Sequence, residues 1–176
     1  MLTIDFDETI ESSLPADELW YLITDAFENP DASPVWPVQL DAVDVERLRE
    51  GATVTGSYQI GALAVQARYR VTSLDPGRAF SYESEPTHPL DGGATVAVEP
   101  RDDGTSALRW SGTYRPRNYL TGIPAVLYVR LGFLPTFFPR LETKLRAYEA
   151  RRSDTFDETP VPPGAPGRAE ATERRR

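Results

Sequence analysis

The chain predicts an α+β domain: a curved seven-stranded antiparallel sheet wrapped around one long C-terminal helix, with two short helices after the first strand. Three observations carry that expectation. Leu134, Phe137, Phe138, Leu141, Leu145 and Tyr148 recur at helical spacing, with Arg140, Glu142, Lys144, Arg146 and Glu149 on the other side. Between Thr3 and Arg115 the period changes to two, the alternation of half-buried strands. Turn-forming residues separate these alternating runs at regular intervals. A sheet with one apolar face and a helix with one apolar stripe bury each other most economically when the sheet curves around the helix.

In chain order, Ile4, Phe6 and Ile10 alternate with acids to give a first strand over Thr3–Ser12. Pro15 suits a first helical position, Asp17 and Glu18 favour the dipole of a first turn, and Leu19, Leu22, Ile23 and Ala26 make a one-sided stripe. Glu28–Pro37, broken by Pro30, Pro34 and Pro37, reads as a short second helix or turn leading to a strand at about Val38–Arg47.

The next strands take their registers from their turns. Gly61-Ala62 fits a two-residue II′ hairpin, which sets Tyr58 against Val65 and Val54 against Tyr69. Pro76-Gly77 as a two-residue loop sets Val71 against Tyr82, Arg70 against Glu83 and Arg68 against Glu85. Asp102-Asp103-Gly104 reads as a three-residue hairpin with Gly104 left-handed, pairing Val98 with Leu108 and Val96 with Trp110. All three registers agree on one inner face, as a half-solvated antiparallel sheet requires. Thr87–Gly93 reads as a loop.

Asn118–Phe138 is apolar but carries Gly122, Pro124, Arg130, Gly132 and Pro135. It reads as too interrupted for a membrane span and as a helix kinked near Gly132–Pro135. Pro139 is tolerated if Thr136 caps a fresh start. A single domain over 1–152 is expected, followed by a Pro/Arg-rich tail over 153–176 that cannot bury enough apolar surface to order itself.

Composition narrows the function classes. Without cysteine there is no disulfide and no thiolate chemistry. Twenty-seven acidic residues against nineteen basic ones give a net charge of −8, and no basic stripe suits a nucleic-acid or anionic-membrane partner. Lys144 is the only lysine. An acidic, lysine-poor surface fits salt adaptation, and arginine-favouring genome composition explains the missing lysines equally well. The N-terminus has no basic and apolar signal pattern, so a cytoplasmic location is expected.

The order of elements is that of the helix-grip fold. The chain resembles the START/Bet v 1-like (SRPBCC) superfamily, and within it the polyketide cyclase/dehydrase-like branch. The resemblance spans about residues 2–152. It is carried by Leu14-Pro15-Ala16-Asp17-Glu18-Leu19-Trp20 and Val35-Trp36-Pro37. Further along, Val71–Arg78 and Gly104–Trp110 continue it. It implies a cavity between sheet and long helix, which in such proteins holds lipids, sterols, polyketides, quinones or partner surfaces.

The expected site is that cavity. Tyr58, Tyr69, Tyr82 and Tyr114 point inward, where a dry core would carry Leu, Ile or Phe. Ala67 and Gly112 leave room between them, and Val65, Val96 and Trp110 add apolar wall. Leu134 and Phe138 close the helix side, and Arg130 is a candidate anchor for an anionic headgroup. His88, between Thr87 and Pro89, reads as exposed. No catalytic residue, metal site or cofactor is assigned. The expected function is binding of a hydrophobic or amphipathic small molecule without stable membrane insertion. The alternatives are a cyclase or dehydratase using a tyrosine as acid, and a protein-interaction module using the apolar groove.

Overall fold

The computed structural model describes residues 2–30, 32–37, 42–45, 47–60 and 63–157. The side chains of 42–45, 56–60, 63–66 and 154–157 lie outside that description. The strands are β1 (Ile4–Ser12), β2 (Ala42–Val45), β3 (Thr53–Ile60), β4 (Leu63–Asp75), β5 (Ala79–Ser84), β6 (Leu90–Pro100) and β7 (Ser106–Pro116). The helices are α1 (Ala16–Glu28), α2 (Gly122–Tyr128) and α3 (Leu134–Asp157), the last two joined through a π-helical turn, Val129–Phe133.

The strands form one antiparallel sheet in the order β1-β7-β6-β5-β4-β3-β2. β2 to β7 are a meander, and β1 adds to the far edge beside β7, with Ile4 opposite Tyr114 and Ser12 opposite Ser106. The chain therefore leaves β1 at one edge and re-enters at the other. α1 makes that crossing over the inner face, burying Leu19, Leu22, Ile23, Ala26 and Phe27.

The expected pairings appear. Tyr58 faces Val65 and Val54 faces Tyr69, although the Gly61-Ala62 turn itself lies outside the described residues. Val98 faces Leu108 and Val96 faces Trp110, with Gly104 at φ +83°. The β4–β5 turn departs from expectation. Asp75 pairs with Ala79, so the loop holds three residues, and a bulge between Val71 and Ser73 restores the expected pairing of Val71 with Tyr82. Arg70 stands across from Glu83 but makes its ion pair with Glu85, at 2.9 Å.

β6 begins at Leu90, inside the segment expected to be a loop. Gly92 makes this possible: its φ is +132°, and a Cβ there would lie 2.0 Å from the carbonyl oxygen of Thr113 on β7. Only glycine allows the two backbones to meet.

The second short helix is absent among the described residues. After α1 the chain makes turns, with the Ala32 and Ser33 amides both donating to Asn29 O. Pro30, Pro34 and Pro37 deny that stretch the amide donors a helix needs.

Gly122–Ser153 is one continuous helix, by length and apolar composition sufficient to cross a membrane. The proline and glycine interruptions do not break it. At the π turn the Leu134 amide reaches back five residues to Val129 O. A widened turn gives the Pro135 ring room against the preceding carbonyls, which is where a kink was expected. There is no fresh start at Thr136, whose hydroxyl donates to Gly132 O and Phe133 O. α3 runs on through exposed Pro139. Phe137, Phe138, Leu141 and Leu145 are buried on the sheet side.

Candidate functional site

The inner face of the sheet carries two apolar layers. Around Trp110, α1 and α3 close down on β5, β6 and β7: Phe27, Phe80, Val96, Val98, Leu108, Phe137 and Phe138 form one cluster. Here aromatic rings pack on one another. Trp110 lies 5.6 Å from Phe27, 5.1 Å from Phe137 and 5.7 Å from Phe138 between ring centroids. Its indole N–H donates to Tyr82 Oη at 3.0 Å. Trp36 joins from the turn segment through Phe27 and Phe137, with its buried Nε1 lacking a hydrogen-bond partner among the described residues.

The second layer lies beneath α2, where Ile4, Leu90, Tyr114 and Val126 are buried together. Tyr69, Ala125, Val129 and Leu134 pack partly buried against them. The cover here is uneven. None of the π-helical residues Val129–Phe133 is buried, and Leu127 and Leu131 are exposed. The C-terminal helix thus packs on the sheet through both α2 and α3, and between them the π turn is only partly covered, with Val129 and Phe133 half-buried.

The expected site residues distribute over these layers. Tyr82, Val96, Trp110 and Phe138 meet in the first; Tyr69, Tyr114 and Leu134 meet in the second. Ala67 is fully buried beside Tyr69 on β4. Tyr58 and Val65 face each other in register, and their side chains lie outside the described residues. Two expectations fail. Gly112 leaves no room: a Cβ there would meet Ala94 Cβ and Gly93 O at 2.7 Å and Phe6 Cε1 at 2.9 Å. Arg130 is exposed on the π turn. The reason is the same in both cases. Period and parity give the side of an element, whereas neighbouring backbones set the distance.

His88 is the residue that sequence reasoning misplaced. It is buried, only 6% exposed, and its Nε2 lies 3.1 Å from Tyr69 Oη with the rings 5.0 Å apart. Its Nδ1 is 3.0 Å from Leu90 N and 3.1 Å from Leu90 O. Burial pushes the imidazole pKa below its ordinary 6.5; the bond to the Leu90 backbone opposes this, and the Arg117 charge adds to it. The ring is therefore neutral near pH 7. The available signal was local: a histidine two residues before the inward-facing Leu90, in a loop short enough to fold it back under the sheet.

Two hollows accompany these layers. A groove of about 810 Å³ opens on the outer side of the sheet, among Asp5, Asp7, Ser81, Thr95, Ser111 and Thr113. A smaller one of about 320 Å³ lies between β1 and α3, lined by Ile10, Leu134, Pro135 and Phe138. Among the described residues no group of three or more histidine, aspartate or glutamate side chains gathers to hold a metal.

An antiparallel sheet gripping a long C-terminal helix through an aromatic inner face defines a helix-grip, Bet v 1-like protein. The family model described as polyketide cyclase / dehydrase and lipid transport matches residues 3–151, and the chain belongs to that family. Solved structures share the fold. The Zhui aromatase/cyclase from Streptomyces sp. R1128 superposes with TM-score 0.65 at 16% identity, over 86% of this chain and 96% of that one. Norcoclaurine synthase from Thalictrum flavum gives 0.59 at 11% identity, over 84% and 96%. Ara h 8.0201 gives 0.59 at 13% identity, over 82% and 99%. No curated protein matches the chain.

Proposed function

We propose that the chain binds a hydrophobic or amphipathic small molecule between the sheet and the first half of its C-terminal helix. The observation that carries this is a break in burial along that helix, between Val126 of α2 and Phe137 of α3. Phe137, Phe138, Leu141 and Leu145 are buried, whereas no residue of the π turn is, although that turn lies over inward-facing Tyr69 and Tyr114. A ligand entering there gains apolar burial, worth about 25 cal/mol per Å², without displacing the packed Trp110 layer. Membership of a family described by cyclases, dehydrases and lipid transport supports the same reading.

The test is saturable binding of an apolar fluorophore, N-phenyl-1-naphthylamine, with native mass spectrometry for a molecule retained through purification. Ala125→Trp puts a bulky ring where α2 packs on the sheet beside the π turn and should weaken the probe at least tenfold. Equal binding by both proteins would place the probe elsewhere and overturn the reading.

A further inference from the structure

We propose that Tyr69 and His88 form a proton relay that receives, at Tyr69 Oη, the phenol or enol hydroxyl of a ligand held beneath the π turn; this rests on the ligand-binding reading above. The geometry begins with the loop after β5. Its residues turn back, with the His88 amide donating to Glu85 O, and bring the imidazole under the sheet against Tyr69. Both rings belong to the inner side, where their neighbours are Tyr82, Leu90 and Tyr114. A tyrosine–histidine pair in a mainly apolar layer is costly to bury unless it is used or fully bonded.

The backbone of Leu90 gives the pair its particular property. It presents both a donor and an acceptor to Nδ1, at 3.0 and 3.1 Å. When Nδ1 accepts from the Leu90 amide, Nε2–H donates to Tyr69 Oη. When Nδ1–H donates to the Leu90 carbonyl, Nε2 accepts the Tyr69 hydroxyl proton. Either tautomer is thus satisfied without movement of the ring. In the second, a ligand hydroxyl can pass its proton to Tyr69 Oη while the Tyr69 proton moves to Nε2. One O–H bond breaks on the ligand, one forms and one breaks on Tyr69, and one N–H bond forms on His88. The products are a ligand oxyanion held by the Tyr69 hydroxyl and an imidazolium with both N–H groups bonded.

The charged groups around the pair leave this chemistry to the imidazole. Among the described residues no carboxylate hydrogen-bonds to His88. Glu85 is held by Arg68 and Arg70, and Asp91 by Arg115 and Arg117. A neutral imidazole is the form that can take the proton; the burial and the Arg117 charge that keep it neutral also oppose the imidazolium, so the transferred state is a minor one beside the hydrogen-bonded chain.

The experiment compares 2-naphthol with naphthalene, which has the same ring system but no hydroxyl. The relay requires 2-naphthol to bind wild-type protein about five- to tenfold more tightly, the worth of one buried hydrogen bond. That ratio should fall to near one in Tyr69→Phe. His88 is the only histidine in the chain, so its two ¹⁵N imidazole resonances need no assignment. They should move when 2-naphthol is added and stay in place with naphthalene, and in Tyr69→Phe neither compound should move them. A satisfied structural histidine would give no such difference. If naphthalene binds but the hydroxyl adds no affinity and the resonances stay still, the relay is overturned and ligand binding survives. If neither compound binds, both are overturned.

Discussion

The indole N–H of Trp110 and the hydroxyl of Tyr82 meet at 3.0 Å across the inner face, one residue on β7 and the other on β5, with β6 between them. This bond lets a buried tryptophan occupy the centre of an aromatic cluster without a stranded donor. Tyr82→Phe removes the acceptor and keeps the ring. Unfolding free energy in urea should fall by about 1–3 kcal/mol. Unchanged stability would show that the indole finds another acceptor.

Gly112 is a place of contact. Gly112→Leu should therefore destabilise by at least the ~1–3 kcal/mol typical of overpacking, because Ala94, Phe6 and the Gly93 carbonyl already stand within 3 Å of the position of a Cβ. Gly112→Ala should move the thermal midpoint in the same direction by a smaller step. A leucine tolerated without loss would mean that the strands open there.

His88 should make stability depend on pH. Its folded pKa is lowered from 6.5, so between that lowered value and 6.5 the unfolded chain binds a proton that the native state does not. Its contribution is fully present above about pH 6.5, declines as pH falls through that window and levels off below the folded value. Asp7 and Asp91, depressed from 3.8 first by bonds to Arg109 and Arg115, act at lower pH and are common to wild type and variant. The difference in unfolding free energy between wild type and His88→Gln should therefore shrink on acidification. A difference that stays flat would show that the imidazole titrates alike in both states.

Glu149 pins the far end of the C-terminal helix. Its carboxylate accepts from Ser12 Oγ at 2.6 Å and from the Ser13 amide at 3.1 Å, and Ser12 Oγ accepts from the Leu14 amide. Glu149→Ala should cost about 1.5–3 kcal/mol, the range for hydrogen bonds to a charged group. Ser12→Ala should cost less, and the pair should be less than additive in a denaturation series. Full additivity would mean the two residues act separately.

The acidic, lysine-poor composition leads to a prediction of its own. If it is an adaptation to salt, the thermal midpoint should rise between low and molar salt as self-repulsion is screened. The exposed pairs Arg109–Asp7, Arg115–Asp91 and Arg101–Glu11 would lose a little over the same range. A flat or falling midpoint would leave genome composition as the account.

Local chemistry was enough to read the strands, the inner face and the family. Alternation puts Tyr69, Tyr82, Trp110 and Tyr114 on one side whatever else the chain does. Turn residues such as Gly104 and Gly77 locate the hairpins, because few residues adopt their backbone angles. Even so, the Val71–Tyr82 pairing came out as expected for a different reason: a longer turn compensated by a bulge. Long-range contact settled the rest. Whether Gly112 is a gap or a point of closest approach depends on β1 and β6, which are far from it in sequence. Whether His88 points to water or to Tyr69 depends on how a five-residue loop folds back beneath the sheet. The prolines of the C-terminal segment leave the helix continuous, because a π turn makes room for Pro135 and packing of α3 on the sheet offsets the missing hydrogen bonds. Periodicity sees faces; distances between faces arise only when the elements are brought together.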